Sequence, residues 1–167
     1  MGGRHIAVMS HLGHVRELST DKVRHAIHRL KQEAGVIIRS QSPVMRGIND
    51  DAKARGPAPG REGAAGNASL TPPRPCLQVW ADKWREEVRL GIVPYYMFMA
   101  RDTGAQAFFD VPLVRAQQLY ADAIRNTSGL CRTARGPSMS CTPGKVEVVG
   151  TQEVMGVPRL CAALPPA

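Results

Sequence analysis

The alternation of apolar and polar positions predicts short strands and helices that follow one another along the chain. Residues 6–9 (IAVM) form a short apolar run typical of a buried strand. Between residues 23 and 34 the apolar positions recur at helical spacing, with Ser19 or Thr20 as the N-cap and Gly35 as the stop. A strand followed by a helix is therefore expected at the start of the chain.

The same alternation continues further along. A second strand begins at residues 36–38, a second helix covers residues 80–88 and ends at Gly91, and a third strand covers residues 92–99. The third strand carries alternating aromatic residues for which core packing is the favoured interpretation, namely Tyr95, Tyr96 and Phe98.

A third helix begins at Pro112 and is followed by a long loop before the last strand. Residues 135–145 (RGPSMSCTPGK) are rich in Gly, Pro and small residues, and Lys145 leads into the β-branched run at 146–149. The complete order is typical of parallel crossover units and predicts an α/β fold class. In such folds ligands bind beyond the carboxyl ends of the strands.

Composition divides the chain into four parts. Residues 53–78 are dominated by Gly, Pro, Ala and Arg, and they offer too little apolar surface to offset their ordering entropy, so a disordered insertion is predicted. It separates the first β/α units at residues 1–52 from the remaining units at residues 79–155. Residues 156–167 are expected to form an unstructured tail.

Two explanations for the insertion stay open. Residues 70–78 (LTPPRPCLQ) are what a pyrimidine-rich splice-acceptor sequence ending in CAG would encode, so a retained intron or gene-model error is one hypothesis. The other is a surface-loop insertion that the fold tolerates.

Composition and charge narrow the functional classes. A chain of 167 residues with 43% hydrophobic residues is expected to form one soluble domain. No apolar run reaches the roughly 20 residues of a membrane span. Because no secretion signal is visible, a cytoplasmic location is expected, with an organelle as the alternative. The net charge is +8, but basic and acidic residues are mixed, so nucleic acid is a disfavoured partner.

Neither the cysteines nor the histidines are spaced for a metal site. The four cysteines are widely separated, without CxxC or CxxxCxxC, and free thiols are expected in a chain with no secretion signal. His11 and His14 have no third ligand nearby in the sequence, so hydrogen-bonded strand-end residues are favoured over metal ligands.

Polar residues fall at the carboxyl ends of the predicted strands, where a ligand would bind. They are His11, Gln41, Arg101 and Asp102. Lys145 lies at the junction of the last loop and strand. A lysine there is either a solvated turn residue or, when partly desolvated, an amine that can form an imine with an aldehyde cofactor.

Several segments carry ordered signatures. Residues 10–18 (SHLGHVREL), 41–51 (QSPVMRGINDD), 93–96 (VPYY) and the loop that ends at Lys145 resemble the lysine 2,3-aminomutase family of radical SAM enzymes. The family patterns are H-x-N-H-P-x-E-L, N-Q-x-x-L-L-x-G-x-N-D, R-P-Y-Y and a Gly-rich loop ending in lysine. The resemblance covers most of residues 3–155 outside the insertion.

The resemblance implies an incomplete (β/α) barrel of radical SAM type that contains the C-terminal β/α units only. The family binds a [4Fe–4S] cluster through CxxxCxxC, S-adenosylmethionine (SAM) and pyridoxal phosphate (PLP), and it moves an amino group between adjacent carbons of an amino acid. His11 and Gln41 match positions that contact SAM. Lys145 matches the catalytic lysine that holds PLP.

The departures from the family pattern imply an altered substrate and a chain that is inactive alone. No CxxxCxxC is present, so this chain has no cluster site as written. Where lysine-specific members place carboxylates for the distal ammonium, this sequence has Arg101 and Ser138, with Asp102 one residue out of register. A cation there favours an acidic or neutral amino acid as the substrate.

A second class of function stays open beside this isomerase. The chain is either part of an aminomutase whose small-molecule substrate is an amino acid, or a non-catalytic basic binding protein built on a barrel remnant. In either case the unpaired strand edges of a partial barrel predict a homo-oligomer.

Overall fold

The computed structural model describes residues 6–50, 78–101, 104, 106–142 and 144–164. The predicted disordered insertion, residues 53–78, lies outside these ranges apart from Gln78, which begins a helix. Asp102 also lies outside the described residues.

Strands and helices alternate along most of the described chain and give way to strands alone at its end. In order, the elements are β1 Ala7–His11, α1 Asp21–Gln32, β2 Ile37–Val44, α2 Gln78–Arg89, β3 Val93–Met99, α3 Gln106–Phe109, α4 Leu113–Arg125, β4 Arg135–Cys141, β5 Gly144–Val154 and β6 Val157–Ala163. Within the described ranges the strands form one six-stranded sheet in the order β1 to β6. Strands β1 to β4 are parallel, whereas β5 and β6 each run antiparallel to the strand before.

The first three strands and their helices follow the predicted pattern. The side-chain oxygen of Thr20 accepts the Val23 N–H at 3.4 Å and caps α1. Gly35 and Gly91 adopt φ of +62° and +74° just beyond α1 and α2, which is the left-handed conformation that ends a helix. The α/β class is thereby confirmed, and the barrel stays a prediction.

The prediction of a loop at residues 135–145 is wrong. Residues Arg135–Cys141 form the fourth parallel strand, β4, and the β-branched run at 146–149 is the middle of β5. The two strands form a hairpin in which Ser140 lies opposite Lys145. Gly, Pro and Ser have low strand propensity, but pairing with β3 on one side and β5 on the other overrides that preference.

The prediction of an unstructured tail is also wrong for the described residues after Glu153. Strand β6, Val157–Ala163, pairs with β5 through a two-residue turn at Met155 and Gly156. Both turn residues have positive φ, 53° and 74°, which is the backbone of the tight hairpin turn that matches strand twist. Because only one of the two is glycine, the turn signal in the sequence is weak.

The core lies between the helices and one face of the sheet. Trp80 and Trp84 of α2 are each 1% exposed, and they pack with Leu119 of α4 and Met97 of β3. A smaller cluster around Leu18 and Ile38 fills the space near β1 and α1. Burial of this apolar surface fixes the helices on a single side of the sheet.

A charged pair lies in the same interior. Lys83 and Glu87 are 1% and 0% exposed, and the Lys83 ammonium lies 2.6 Å from the Glu87 carboxylate. The Ser40 hydroxyl of β2 donates a hydrogen bond to that carboxylate at 2.8 Å. Burial lowers the pKa of Lys83, and the neighbouring Glu87 carboxylate opposes this shift. The pair ties α2 to the centre of β2.

The opposite face of the sheet, which we call the open face, carries the other half of each strand's residues. In β2, Ile38, Ser40, Ser42 and Val44 are buried against the helices, and the alternate residues, including Ile37 and Gln41, turn to the open face.

None of the described helices combines the length and the hydropathy of a membrane span.

Candidate functional site

A cavity of about 230 Å³ opens on this face at the carboxyl ends of the parallel strands. Its lining includes His11, Gln41, Arg101, Ser138 and Lys145, which are all the sequence-predicted site residues that the structure describes. The residues come from five segments of the chain, so the fold brings together positions that are far apart in the sequence.

The strand register explains this convergence. His11 lies opposite Gln41 across β1 and β2, Phe98 lies opposite Ser138 across β3 and β4, and Ser140 lies opposite Lys145 across the hairpin. Residues directly opposite each other project to the same face of a sheet. Lys145 therefore reaches the cavity at the ends of the parallel strands because the antiparallel strand β5 turns back along β4.

His11 and Gln41 form a hydrogen-bonded pair at one end of the cavity. The Gln41 amide nitrogen lies 2.5 Å from the His11 Nε2. Because an amide N–H only donates, the imidazole Nε2 accepts this bond. The His11 ring also packs on Phe98 with centroids 5.8 Å apart. The pair presents a ring edge and an amide to the cavity.

Lys145 lies at the other end of the cavity, over the ring of Tyr96. Its Nζ is 4.1 Å from the ring centroid, a cation–π distance. The side chain is exposed, which agrees with the solvated alternative of the two that the sequence left open. The amine is accessible to a ligand in the cavity without any movement of the strands.

Arg135 and Glu147 surround the same tyrosine. The Arg135 guanidinium carbon lies 5.6 Å from the Tyr96 centroid, and its Nη2 lies 3.5 Å from the Glu147 Oε2. The other oxygen of Glu147 accepts the backbone N–H of Gly136 at 3.0 Å. Burial raises the pKa of the Tyr96 hydroxyl, and the Arg135 charge opposes that shift.

Ser138 and Arg101 occupy the two positions where a changed substrate preference was predicted. Ser138 is 2% exposed, and its hydroxyl donates to the Met97 carbonyl at 3.4 Å. Arg101 is exposed and lies where the cavity meets a larger one of about 650 Å³ between β3, β4 and α4. Of the described residues that line both cavities, Arg101 is the charged one.

Other residues of the same sequence signatures have structural roles. His14 Nδ1 accepts the Arg16 N–H at 3.1 Å, and Glu17 Oε1 accepts the N–H groups of Gly13 and His14, so the two side chains cap a 3-10 helix at Val15–Leu18. No group of three or more His, Cys, Asp or Glu that could hold a metal ion occurs among the described residues.

Asn49 is a second structural residue, and sequence reasoning missed its role. Its amide nitrogen donates to the carbonyls of Gly13 and Pro43, and its side-chain oxygen accepts the Met45 N–H. Its own carbonyl accepts the indole N–H of Trp80 at 3.0 Å. This fully buried residue links the segments that follow β1 and β2 to α2.

Comparison with known proteins agrees with the signatures. No family model matches the chain. The chain is 27% identical over 148 residues to the "Putative L-lysine 2,3-aminomutase" of Aquifex aeolicus (strain VF5), a match that covers 89% of this chain. The chain spans about a third of that relative's length (32%). The partial match confirms the resemblance to the lysine 2,3-aminomutase family of radical SAM enzymes, at low identity.

Proposed function

We propose that this chain is the C-terminal portion of a radical SAM, PLP-dependent aminomutase that moves an amino group between adjacent carbons of an amino acid. In this proposal the sheet is part of an incomplete (β/α) barrel. The observation that carries it is the cavity at the strand ends, which His11, Gln41, Arg101, Ser138 and Lys145 line together. The similarity to the Aquifex protein supports the same proposal.

The residues present fit PLP. Lys145 offers an accessible amine, which would hold the cofactor through its aldehyde carbon with the loss of one water. Tyr96 presents an aromatic face beside that amine, and Arg101 lines the same cavity with a charge that suits a phosphate or carboxylate. When bound, PLP supplies the conjugated system that stabilises a radical or carbanion. This chain's part is to position the cofactor.

The residues also fit a contact with SAM at the other end of the cavity, where His11 and Gln41 present an imidazole and an amide. SAM supplies the source of the radical. The described residues do not fit a [4Fe–4S] cluster, because they contain no metal-binding group and the sequence has no CxxxCxxC. We therefore expect the chain to be inactive alone.

The substrate that this site favours is an acidic or neutral amino acid. Arg101 lies at the boundary of the two cavities, and Ser138 contributes a neutral hydroxyl. A guanidinium attracts a side-chain carboxylate and repels the distal ammonium of lysine. A full-length version of the protein that turned over lysine as its best substrate would contradict this part of the proposal.

Covalent capture of PLP tests the proposal without any need for turnover. The chain is incubated with PLP, reduced with sodium borohydride, and digested for peptide mapping. We expect the label on Lys145, and we expect Lys145→Arg to remove it. The matched control is Lys22→Arg, which changes an exposed lysine at the start of α1 and should leave the label in place. A label spread evenly over the lysines would reject the PLP role.

A second candidate function is that of a non-catalytic basic binding protein. The cations that lie over tyrosine rings on the open face favour it. Arg39 lies 5.2 Å from the Tyr95 centroid, beside the Arg135 and Lys145 contacts with Tyr96. Such a surface suits stacked bases and phosphates. Anisotropy with a single-stranded RNA oligonucleotide distinguishes the two. Affinity that falls steeply with salt, without PLP capture, supports this candidate, and no binding at low salt rejects it.

A further inference from the structure

Tyr96 reaches the open face because the pairing of β2 with β3 is irregular. Ser40 lies opposite Pro94, but the next residue, Gln41, lies opposite Tyr96, so Tyr95 is an extra residue in β3. A bulge of this kind changes which side chains point to which face. Here it brings Tyr96 to the same face as Gln41 and the cavity.

The ring of Tyr96 is held on more than one side. Tyr96 is 9% exposed, and its ring packs edge-on against Tyr95 with centroids 4.3 Å apart. Arg135 lies opposite Tyr96 in β4, and its guanidinium is fixed by Glu147. A ring that is packed in this way has one orientation, so it can orient whatever lies on its face.

Lys145 is the group that lies on that face. Its Nζ is 4.1 Å from the ring centroid, and in this rotamer the side chain lines the cavity together with His11. Lysine is otherwise a flexible side chain that loses much rotamer entropy when it is ordered. The attraction between the ammonium and the ring therefore selects the rotamer that faces the ligand.

We propose that Tyr96 is a positioning residue for Lys145, whose ring face holds the amine at the cavity. The inference deepens the proposed function and rests on it for the identity of the captured aldehyde. Tyr96 then has a functional role, the orientation of the Lys145 amine, in addition to its packing. Capture needs the neutral amine, so the ammonium first gives its proton to solvent, and the imine that forms with the loss of one water takes up a proton on its nitrogen. The ring face stabilises this cation as it does the ammonium. Without the ring, Lys145 samples rotamers that point away, and the captured fraction falls.

The expected effect is modest but measurable. An exposed cation–π contact changes the population of the favoured rotamer by about two- to fivefold. In Tyr96→Leu we expect the borohydride-trapped PLP on Lys145 to fall by about that factor relative to the label on the other lysines. Tyr96→Phe keeps the ring and should keep the selectivity. An unchanged selectivity in Tyr96→Leu would overturn the inference.

A fluorination series separates the positioning of Lys145 by Tyr96 from an effect of Tyr96 on folding. Replacing Tyr96 with a fluorinated phenylalanine keeps the ring's size but weakens its negative face, and we expect selectivity for Lys145 to fall as fluorine atoms are added. The same series at Tyr120, a ring on α4 that packs on Trp84 and whose hydroxyl donates to the Ala134 carbonyl, is the control, and there the selectivity for Lys145 should not depend on the number of fluorine atoms. Selectivity independent of fluorination would count against the inference, and it would do so even if Tyr96→Leu does not fold.

A readout without PLP keeps the two proposals distinguishable. The Lys145 Nζ lies over the Tyr96 ring. We therefore expect the NMR signals of the neighbouring Hε protons to be shifted upfield in the wild type and in Tyr96→Phe, and to return toward random-coil positions in Tyr96→Leu. If the wild type shows this shift but captures no PLP, the proposed function fails and the positioning role stands. If it captures PLP at Lys145 without the shift, only the positioning role is lost.

Discussion

At the scale of single residues, Asn49 shows how the site depends on a side chain that does not line it. Its amide bonds the carbonyls of Gly13 and Pro43, and its oxygen bonds the Met45 N–H. Gly13 follows the strand that ends in His11, and Pro43 follows Gln41 in β2. One buried amide therefore sets the spacing of the two strand ends that present the His11–Gln41 pair.

Asn49→Asp tests this role with almost no change in shape. The carboxylate keeps the acceptor for Met45 but replaces the amide nitrogen, which donates both hydrogen bonds, by one oxygen atom that faces the two carbonyls. Each lost buried hydrogen bond costs about 1–3 kcal/mol, so we expect the free energy of unfolding to fall by about 2–6 kcal/mol. Urea denaturation measures the difference.

Asn126→Asp is the matched control for that prediction. Asn126 is exposed at the end of α4, where its amide donates to the Asp122 carbonyl at 2.8 Å. The lost bond is exposed to water and the new charge lies at the C-terminal end of α4, so we expect the free energy of unfolding to fall by about 1 kcal/mol or less. Equal losses in the two variants would show that Asn49 has no special role.

Some residues of the site could be predicted from the sequence and others could not. His11, Gln41 and Arg101 follow from the position of polar residues at strand ends, and Lys145 follows from its junction and from the family resemblance. Tyr96 could not be placed, because a one-residue bulge decides which face its ring occupies. A period-2 pattern alone does not reveal a bulge.

At the scale of elements, the join between β3 and β4 depends on Gly136. Its φ is +133°, a conformation that side chains with a Cβ rarely adopt. A Cβ built on this residue would overlap the carbonyl oxygen of Met97 in β3, and its N–H is bonded by Glu147. The backbone of β4 lies this close to β3 only because residue 136 has no side chain.

Gly136→Ala should therefore disturb the sheet next to the site. Backbone strain alone costs about 1–3 kcal/mol at such a position, and the overlap with the Met97 backbone adds to it. We expect a marked loss of unfolding free energy in urea. Gly150→Ala in β5 is the control, because a Cβ there meets nothing within 4 Å, and it should leave stability unchanged or slightly raised. The role of Gly136 would be refuted by two variants of equal stability.

Helices α1, α2 and α4 and the strands β1 to β3 could be predicted because their apolar periodicity is clear, whereas the short helix α3 and the strands β4 and β6 could not. Residues 135–141 contain Gly, Pro and Ser, and their extended conformation comes from neighbours on both sides. The turn before β6 uses Met155 at a φ of 53°, which its sequence does not signal. Both strands escape prediction because pairing with neighbouring strands outweighs the conformational preference of their own residues.

At the scale of the whole molecule, exposed apolar side chains surround Arg39 in the amino-terminal half of the open face. Met9, Ile37 and Val93 are 44%, 57% and 39% exposed, and the register places Met9 and Val93 on either side of Arg39. Parallel strands are ordinarily covered on both faces. Strand β1 is also an edge of the described sheet and carries no Asp, Glu, Lys or Arg, so two copies can approach there without like-charge repulsion.

We therefore expect the chain to associate with a second copy through β1 and this apolar part of the open face. Ile37→Lys replaces the most exposed of these three apolar side chains by a second charge beside Arg39, and it should shift the protein toward the monomer in sedimentation velocity experiments. Leu130→Lys is the control, because Leu130 is 77% exposed but lies outside the sheet, next to α4. If both variants sediment like the wild type, association does not use this face, and something other than a second copy of the chain covers these apolar side chains.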